Sequence, residues 1–285
     1  MPEILARAYS ARGSVDGGHT EMSFQPILPA SGLVGWKMLT RTLETQQRAF
    51  DQSPENLRDA DYYKANIAKI ETAEQLVDDR RLLRVALGAF GLEDDIDNRY
   101  FVQKILEEGT RSEDALANKL TDKRYAKFSA AFGFDQFTGS NTYSPAFAQQ
   151  VVDRYNRNAF EIALGDQDES MRLALNAAQD LPELAAEDGT DDGRWYLVMG
   201  TPYLREVFDT AMNMPSGFSQ LDLEQQLEIY RDRSEQRFGV SEVADFADPE
   251  LQEKLIEQYL LQSQLAESTS YSSMSVALTL LQSAG

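Results

Sequence analysis

Ala89-Phe90-Gly91-Leu92, Ala131-Phe132-Gly133-Phe134 and Arg237-Phe238-Gly239-Val240 repeat one pattern along the chain. The first two copies close apolar stripes at helical spacing, Leu83, Ala86, Leu87 and Phe90 in one case, Tyr125, Phe128 and Phe132 in the other. Glycine has no Cβ to clash in the left-handed conformation that ends many helices, and an apolar residue just after it can fold back on the last turn. The pattern therefore predicts helix stops with positive φ at Gly91, Gly133 and Gly239. Asn213-Met214 reads as the same device built on the next-best left-handed residue. Gly165 ends the stripe Phe147, Val151, Tyr155, Ile162 in a plainer way.

Helix starts share a second device. Ser53-Pro54, Ser144-Pro145, Thr201-Pro202 and Asp248-Pro249 each place a capping side chain before a proline. The side-chain oxygen can accept from an orphan backbone N–H, and proline at the first helical position loses no hydrogen bond. Trp36, Leu39, Leu43 and Phe50 form a further helical stripe. Trp195 to Met199 reads as a buried apolar segment leading into the Thr201 cap, with a strand as the alternative. No alternating pattern of useful length occurs elsewhere.

Together these signals predict an all-α fold, an irregular multi-helix array of helix–Gly–helix hairpins in two lobes. The uneven positions of the three glycines argue against a strict solenoid. The polar loop Glu187 to Arg194 is the expected break. Residues 1–30 read as a flexible arm, 31–186 as the first lobe, 187–265 as the second, and 266–285 as a Ser-rich link with a short amphipathic end. Met22-Ser-Phe-Gln-Pro looks like a natural start, with the preceding residues an extension.

Composition narrows the chemistry. The chain has 285 residues and a formal net charge of −20, a field that repels nucleic-acid phosphates and anionic lipid. There is no Cys, and His19 is the only His. Thiolate metal sites, thiol nucleophiles, most zinc sites and Ser-His triads are thereby removed. No apolar run approaches the roughly 20 residues that span a bilayer, and no signal-peptide core precedes His19. Asp188-Gly-Thr190-Asp-Asp192-Gly193 has the opening spacing of a calcium loop. Met199 stands where the closing bidentate Glu should be. Phosphate-loop and dinucleotide motifs are absent. With 47 acids, carboxylate pairs at helical spacing carry little information.

Asp61-Tyr62-Tyr63-x-x-Asn66-Ile67-x-Lys69-Ile70, Ala86-x-x-Ala89-Phe90-Gly91-Leu92-Glu93-Asp94, Ala117-Asn118-Lys119-Leu120-x-Asp122-Lys123-Arg124-Tyr125 and Ala130-Ala131-Phe132-Gly133-Phe134 follow one another in order. They resemble an alphaproteobacterial family classed only as a domain of unknown function, over a span from about Met22 to Leu265. Members are often encoded among flagellar genes. The resemblance implies a flagellar role and supplies no catalytic residues.

The expectation is a non-enzymatic, flagellum-associated binding or assembly protein without cofactor or metal. Its partners are expected to be other proteins, flagellar components or an export apparatus, and not nucleic acid. It is expected in the cytoplasm on synthesis, with flagellar association or export without a cleaved signal as later fates. A cytosolic adaptor unrelated to motility and a carboxylate- or metal-dependent enzyme are the alternatives. Met274, Ala277, Leu278 and Leu281, one face of a short C-terminal helix, are the first candidates for partner contact. Tyr62 and Asn66 are the second, although Tyr63, Ile67 and Ile70 read as a core stripe that these two buttress.

Overall fold

A computed structural model of the protein describes residues 24–137, 139–186, 188–215 and 217–283. Side chains at 267 and 269–283 lie outside the described set. The described residues form α-helices joined by short 3-10 turns, with no strand among them. The helices are α1 Gly32–Asp51, α2 Pro54–Asn66, α3 Ala73–Asp78, α4 Arg80–Gly88, α5 Arg99–Glu108, α6 Leu116–Lys119 and α7 Arg124–Phe132. There follow α8 Pro145–Gly165, α9 Glu169–Ala186, α10 Asp191–Gly200, α11 Pro202–Ala211, α12 Leu223–Phe238 and α13 Pro249–Ser283.

The punctuation acts as expected. Gly91, Gly133 and Gly239 have φ of 66°, 64° and 81°. Gly133 and Gly239 cap α7 and α12 directly. After Gly91 the Leu92 amide reaches back to the Leu87 carbonyl, at 3.0 Å, and its side chain is buried. Asn213 is left-handed at φ 52°, and the Met214 amide donates to Asp209 O at 2.9 Å. Helices α2, α8, α11 and α13 all begin at the expected prolines. Side-chain capping accompanies two of them: Ser144 Oγ accepts from Phe147 N and Asp248 Oδ1 from Glu250 N.

Two apolar cores organise the chain, and they divide it differently from the sequence expectation. One is built from residues of α2 to α7 and the first half of α8, including Tyr63, Ile67, Leu83, Phe128, Phe132, Val151 and Val152. The other joins α1 to everything from Phe160 to Leu260. Helix α8 contributes to both. The expected break at 187–194 marks no boundary: residues 188–190 lead directly into α10, whose first turn is 191–194, and α9 and α10 both belong to the second core. The polarity of this stretch follows from surface position. What the local pattern could not show is the long-range return of α13 onto α1, with Lys37 paired to Glu257 at 2.9 Å and Trp36 Nε1 donating to Glu253 at 3.3 Å.

Three further expectations are corrected. Residues 24–30 of the supposed arm are docked: Phe24 meets Phe50 edge-on, and Ile27 exchanges two backbone hydrogen bonds with the Gln46 amide. Residues 1–23, with His19 and the suspected start at Met22, lie outside the described residues. The strand alternative at Trp195 to Met199 fails: the segment is the second half of α10, capped by Thr190 through Gly193 N, and it leads to Thr201 with Trp195, Val198 and Met199 buried. The Ser-rich stretch after Ala266 is no link, since α13 continues as helix to Ser283.

Candidate functional site

Polar residues inside this fold are mostly tied to one another. Tyrosine hydroxyls donate to aspartates across elements: Tyr62 to Asp79, Tyr125 to Asp95, Tyr203 to Asp180 and Tyr230 to Asp209. Burial, then the neighbouring carboxylate, pushes Tyr125 up to about 12. Burial and the same kind of partner raise Tyr203 and Tyr230 further. These phenols stay protonated at any physiological pH and act as fixed donors.

One of the pairs extends into a buried carboxylate cluster. Glu161, on the second half of α8, is 9% exposed. With the Asn176 amide turned to donate, its nitrogen stands 3.0 Å from Glu161 Oε2. Asp180 of α9, which accepts from Tyr203 of α11, adds negative charge nearby. Burial first, and Asp180 second, raise Glu161 to about 7, against the opposing pull of Arg157 and Arg172. A carboxyl poised near neutrality can hold or give a proton. Here it is packed where three helices meet, so the group can sense pH but offers little surface to a substrate.

The structure places the sequence candidates elsewhere. Tyr62 lies at the first core, its ring under the Arg81 guanidinium at 4.4 Å and its hydroxyl on Asp79 at 2.7 Å. Asn66 donates to the Tyr62 carbonyl and accepts from Lys69, each at 2.8 Å. Both residues therefore close the end of α2, the buttressing role beside the buried Tyr63, Ile67 and Ile70. The side chains of Met274, Ala277, Leu278 and Leu281 lie outside the described residues. In the acidic loop, Asp191 accepts from Val243 N at 2.8 Å and pairs with Arg231 at 3.0 Å, so its carboxylate ties α10 to α12. Among the described residues no three His, Cys, Asp or Glu groups converge as a metal site.

Sequence reasoning missed Glu161 because it misread one stripe. Ile162 is exposed, whereas Ala148, Val152, Asn156, Phe160 and Leu164 share the buried face of α8. That i, i+4 series was present in the sequence and would have put Glu161 at the edge of the core.

The architecture defines an all-α protein with two apolar cores sharing one helix, most of its buried polar groups joined internally. The chain belongs to the family described as "Protein of unknown function (DUF1217)", which matches residues 89–275. It is also similar to an X-ray crystal structure of a protein from Agrobacterium tumefaciens, solved as a structural-genomics target. That similarity has 25% sequence identity and a TM-score of 0.66, and covers 85% of this chain and 99% of that one. No curated protein matches the chain.

Proposed function

We propose that this is a non-enzymatic binding or assembly protein associated with the flagellum, and that it engages its protein partner through the far end of α13. The observation that carries the binding reading is the length of α13 relative to the body. α1 and α13 run antiparallel, and their pairing ends where Gly32, the first residue of α1, stands against the Gln264 side chain. The helix nevertheless continues to Ser283. In an α-helix 18 residues make five turns. Positions 274, 277, 278 and 281 thus repeat the register of 256, 259, 260 and 263, where Ile256, Tyr259 and Leu260 are buried against the body. The same apolar register continued in the sequence beyond Gln264 suits helix-in-groove recognition by another protein.

The flagellar part of the proposal rests on the ordered motifs and their resemblance to proteins encoded among flagellar genes. The absence of catalysis is supported by the residue types, one His and no Cys, and by the engagement of the buried carboxylates with tyrosines and arginines. The acidic charge favours protein partners over nucleic acid. Among the described residues no helix is long and apolar enough to cross a membrane. A clean deletion scored for swimming, with filaments imaged, tests the reading. Loss of motility or malformed filaments is expected. A motile mutant with normal filaments overturns the flagellar assignment.

A further inference from the structure

The charged and polar groups around the buried Glu161 come from three helices. On its own helix, α8, Arg157 stands one turn earlier. From α9 come Arg172, Asn176 and Asp180, and from α11 comes Tyr203. Arg172 pairs with Glu169 instead, and among the described residues neither arginine forms an ion pair with Glu161. The group that touches its carboxyl is the Asn176 amide, 3.0 Å from Oε2. An amide nitrogen serves both states of the acid, since it donates equally to a carboxylate or to the carbonyl oxygen of a protonated carboxyl. The contact therefore leaves the charge free to change. Burial without a paired cation, with the Asp180 charge nearby, makes the ionised state the costly one.

Position gives this proton its reach. α9 and α11, which meet α8 around Glu161, are also the helices on which α13 is seated. Gln252 of α13 donates to the Ala178 carbonyl of α9 at 3.0 Å, two residues past Asn176. Leu204 and Phe208 of α11 share one core with Ile256, Tyr259 and Leu260 of α13, and Leu204 directly follows Tyr203. The Tyr203 hydroxyl donates to Asp180 and so ties α11 to α9. An ionised Glu161 repels Asp180, the acid that makes this tie, and calls for water that a packed junction excludes.

We infer that Glu161 is a proton-operated clasp on the seat of α13: protonated, it lets α8, α9 and α11 close under that helix, and ionised, it loosens them. The inference gives regulation to the helix that binds the partner, and for that purpose it rests on the binding-protein reading. The hold on α13 is measured with no partner present and without reference to motility, so the two can fail separately.

The test is amide hydrogen exchange of the full chain from about pH 5 to about pH 8, corrected for the pH dependence of the exchange chemistry itself. Protection of α9, α11 and residues 252–260 of α13 is expected to fall about tenfold or more with rising pH, and to level off above about 7. That is the linkage for a carboxyl that regains its ordinary value when the junction opens. Helices α5 and α7, in the other core, should keep their protection. Glu161→Gln should abolish the fall, which separates Glu161 from His19, the only histidine. Asp180→Asn leaves Tyr203 an acceptor but removes the like charge, and should make the fall smaller. Protection that does not change with pH, a fall of equal size in both cores, or a fall that persists in Glu161→Gln overturns the inference.

Discussion

The Tyr230 hydroxyl, on α12, donates to the Asp209 carboxylate of α11, and the same carboxylate is within 3.5 Å of Arg205. Tyr230 itself is fully buried, stacked on Trp195 with centroids 5.2 Å apart and meeting Phe218 edge-on at 5.1 Å. Burial first, with the Glu206 charge adding, raises the pKa of Asp209, and the Tyr230 and Arg205 bonds offset only part of that rise. Tyr230→Phe keeps the ring packing and strips one donor from a desolvated acid. It should lower unfolding stability by about 1–3 kcal/mol, read from urea melts. A change within error would show that the carboxylate finds another donor.

Glycine caps give a graded series. At Gly239 nothing lies near the place of an added Cβ, so Gly239→Ala should cost only the left-handed backbone term, about 1 kcal/mol. Gly109→Ala combines positive φ with a 2.0 Å collision on Asp135 and should cost distinctly more. Thermal melts of the two variants order them. The reverse order would refute the packing assigned to Asp135.

Stability should depend on Glu161 with a definite sign. Its carboxyl is raised from 4.5 to about 7, burial being the main cause. The folded chain therefore keeps a proton that the unfolded chain releases. The stabilisation is complete below the unfolded value and is lost as pH rises through the folded one. Glu161→Gln, neutral throughout, should match the parent near pH 4 and exceed it near pH 8. Parallel pH profiles for the two proteins would mean that the carboxyl ionises normally.

Truncation after Ala266 should leave the helical body folded. Among the α13 residues whose side chains are described, the last fully covered ones are Tyr259 and Leu260, and Leu265 is half exposed. The far-UV signal per molecule should fall by the helix removed while the melting temperature holds. Self-association or capture of a partner should weaken. A collapsed melting temperature would instead make the removed helix part of the core.

Local grammar made most of the elements legible. Each proline start and each Phe-Gly stop needs only neighbours in sequence and stands where the pattern put it, although Ser53 and Thr201 precede their prolines without capping through the side chain. The arrangement of cores was not legible, because Trp36 belongs with Glu253 and no periodicity links such distant positions. A polar loop looks the same at a domain boundary as between two helices of one core, which is why residues 187–194 misled. Tyr62 and Asn66 looked exposed enough to bind because their partners Asp79 and Lys69 sit on the following turns and helices. Asp135 gave no sign at all: the room beside it is left by Gly109, 26 positions earlier.

The division of the two cores also sets an order of events during synthesis. Residues 60–152 form a contiguous stretch whose core is complete before α9 is made, so this half can fold as it leaves the ribosome. α1 is the first of the described helices to emerge, yet its Trp36 and Leu39 belong to a core that closes only when α13 has been made. The growing polypeptide must carry the apolar stripe of α1 uncovered while α2 to α12 are made. That interval is when a chaperone would recognise it, and α13 is the element whose delivery ends the exposure.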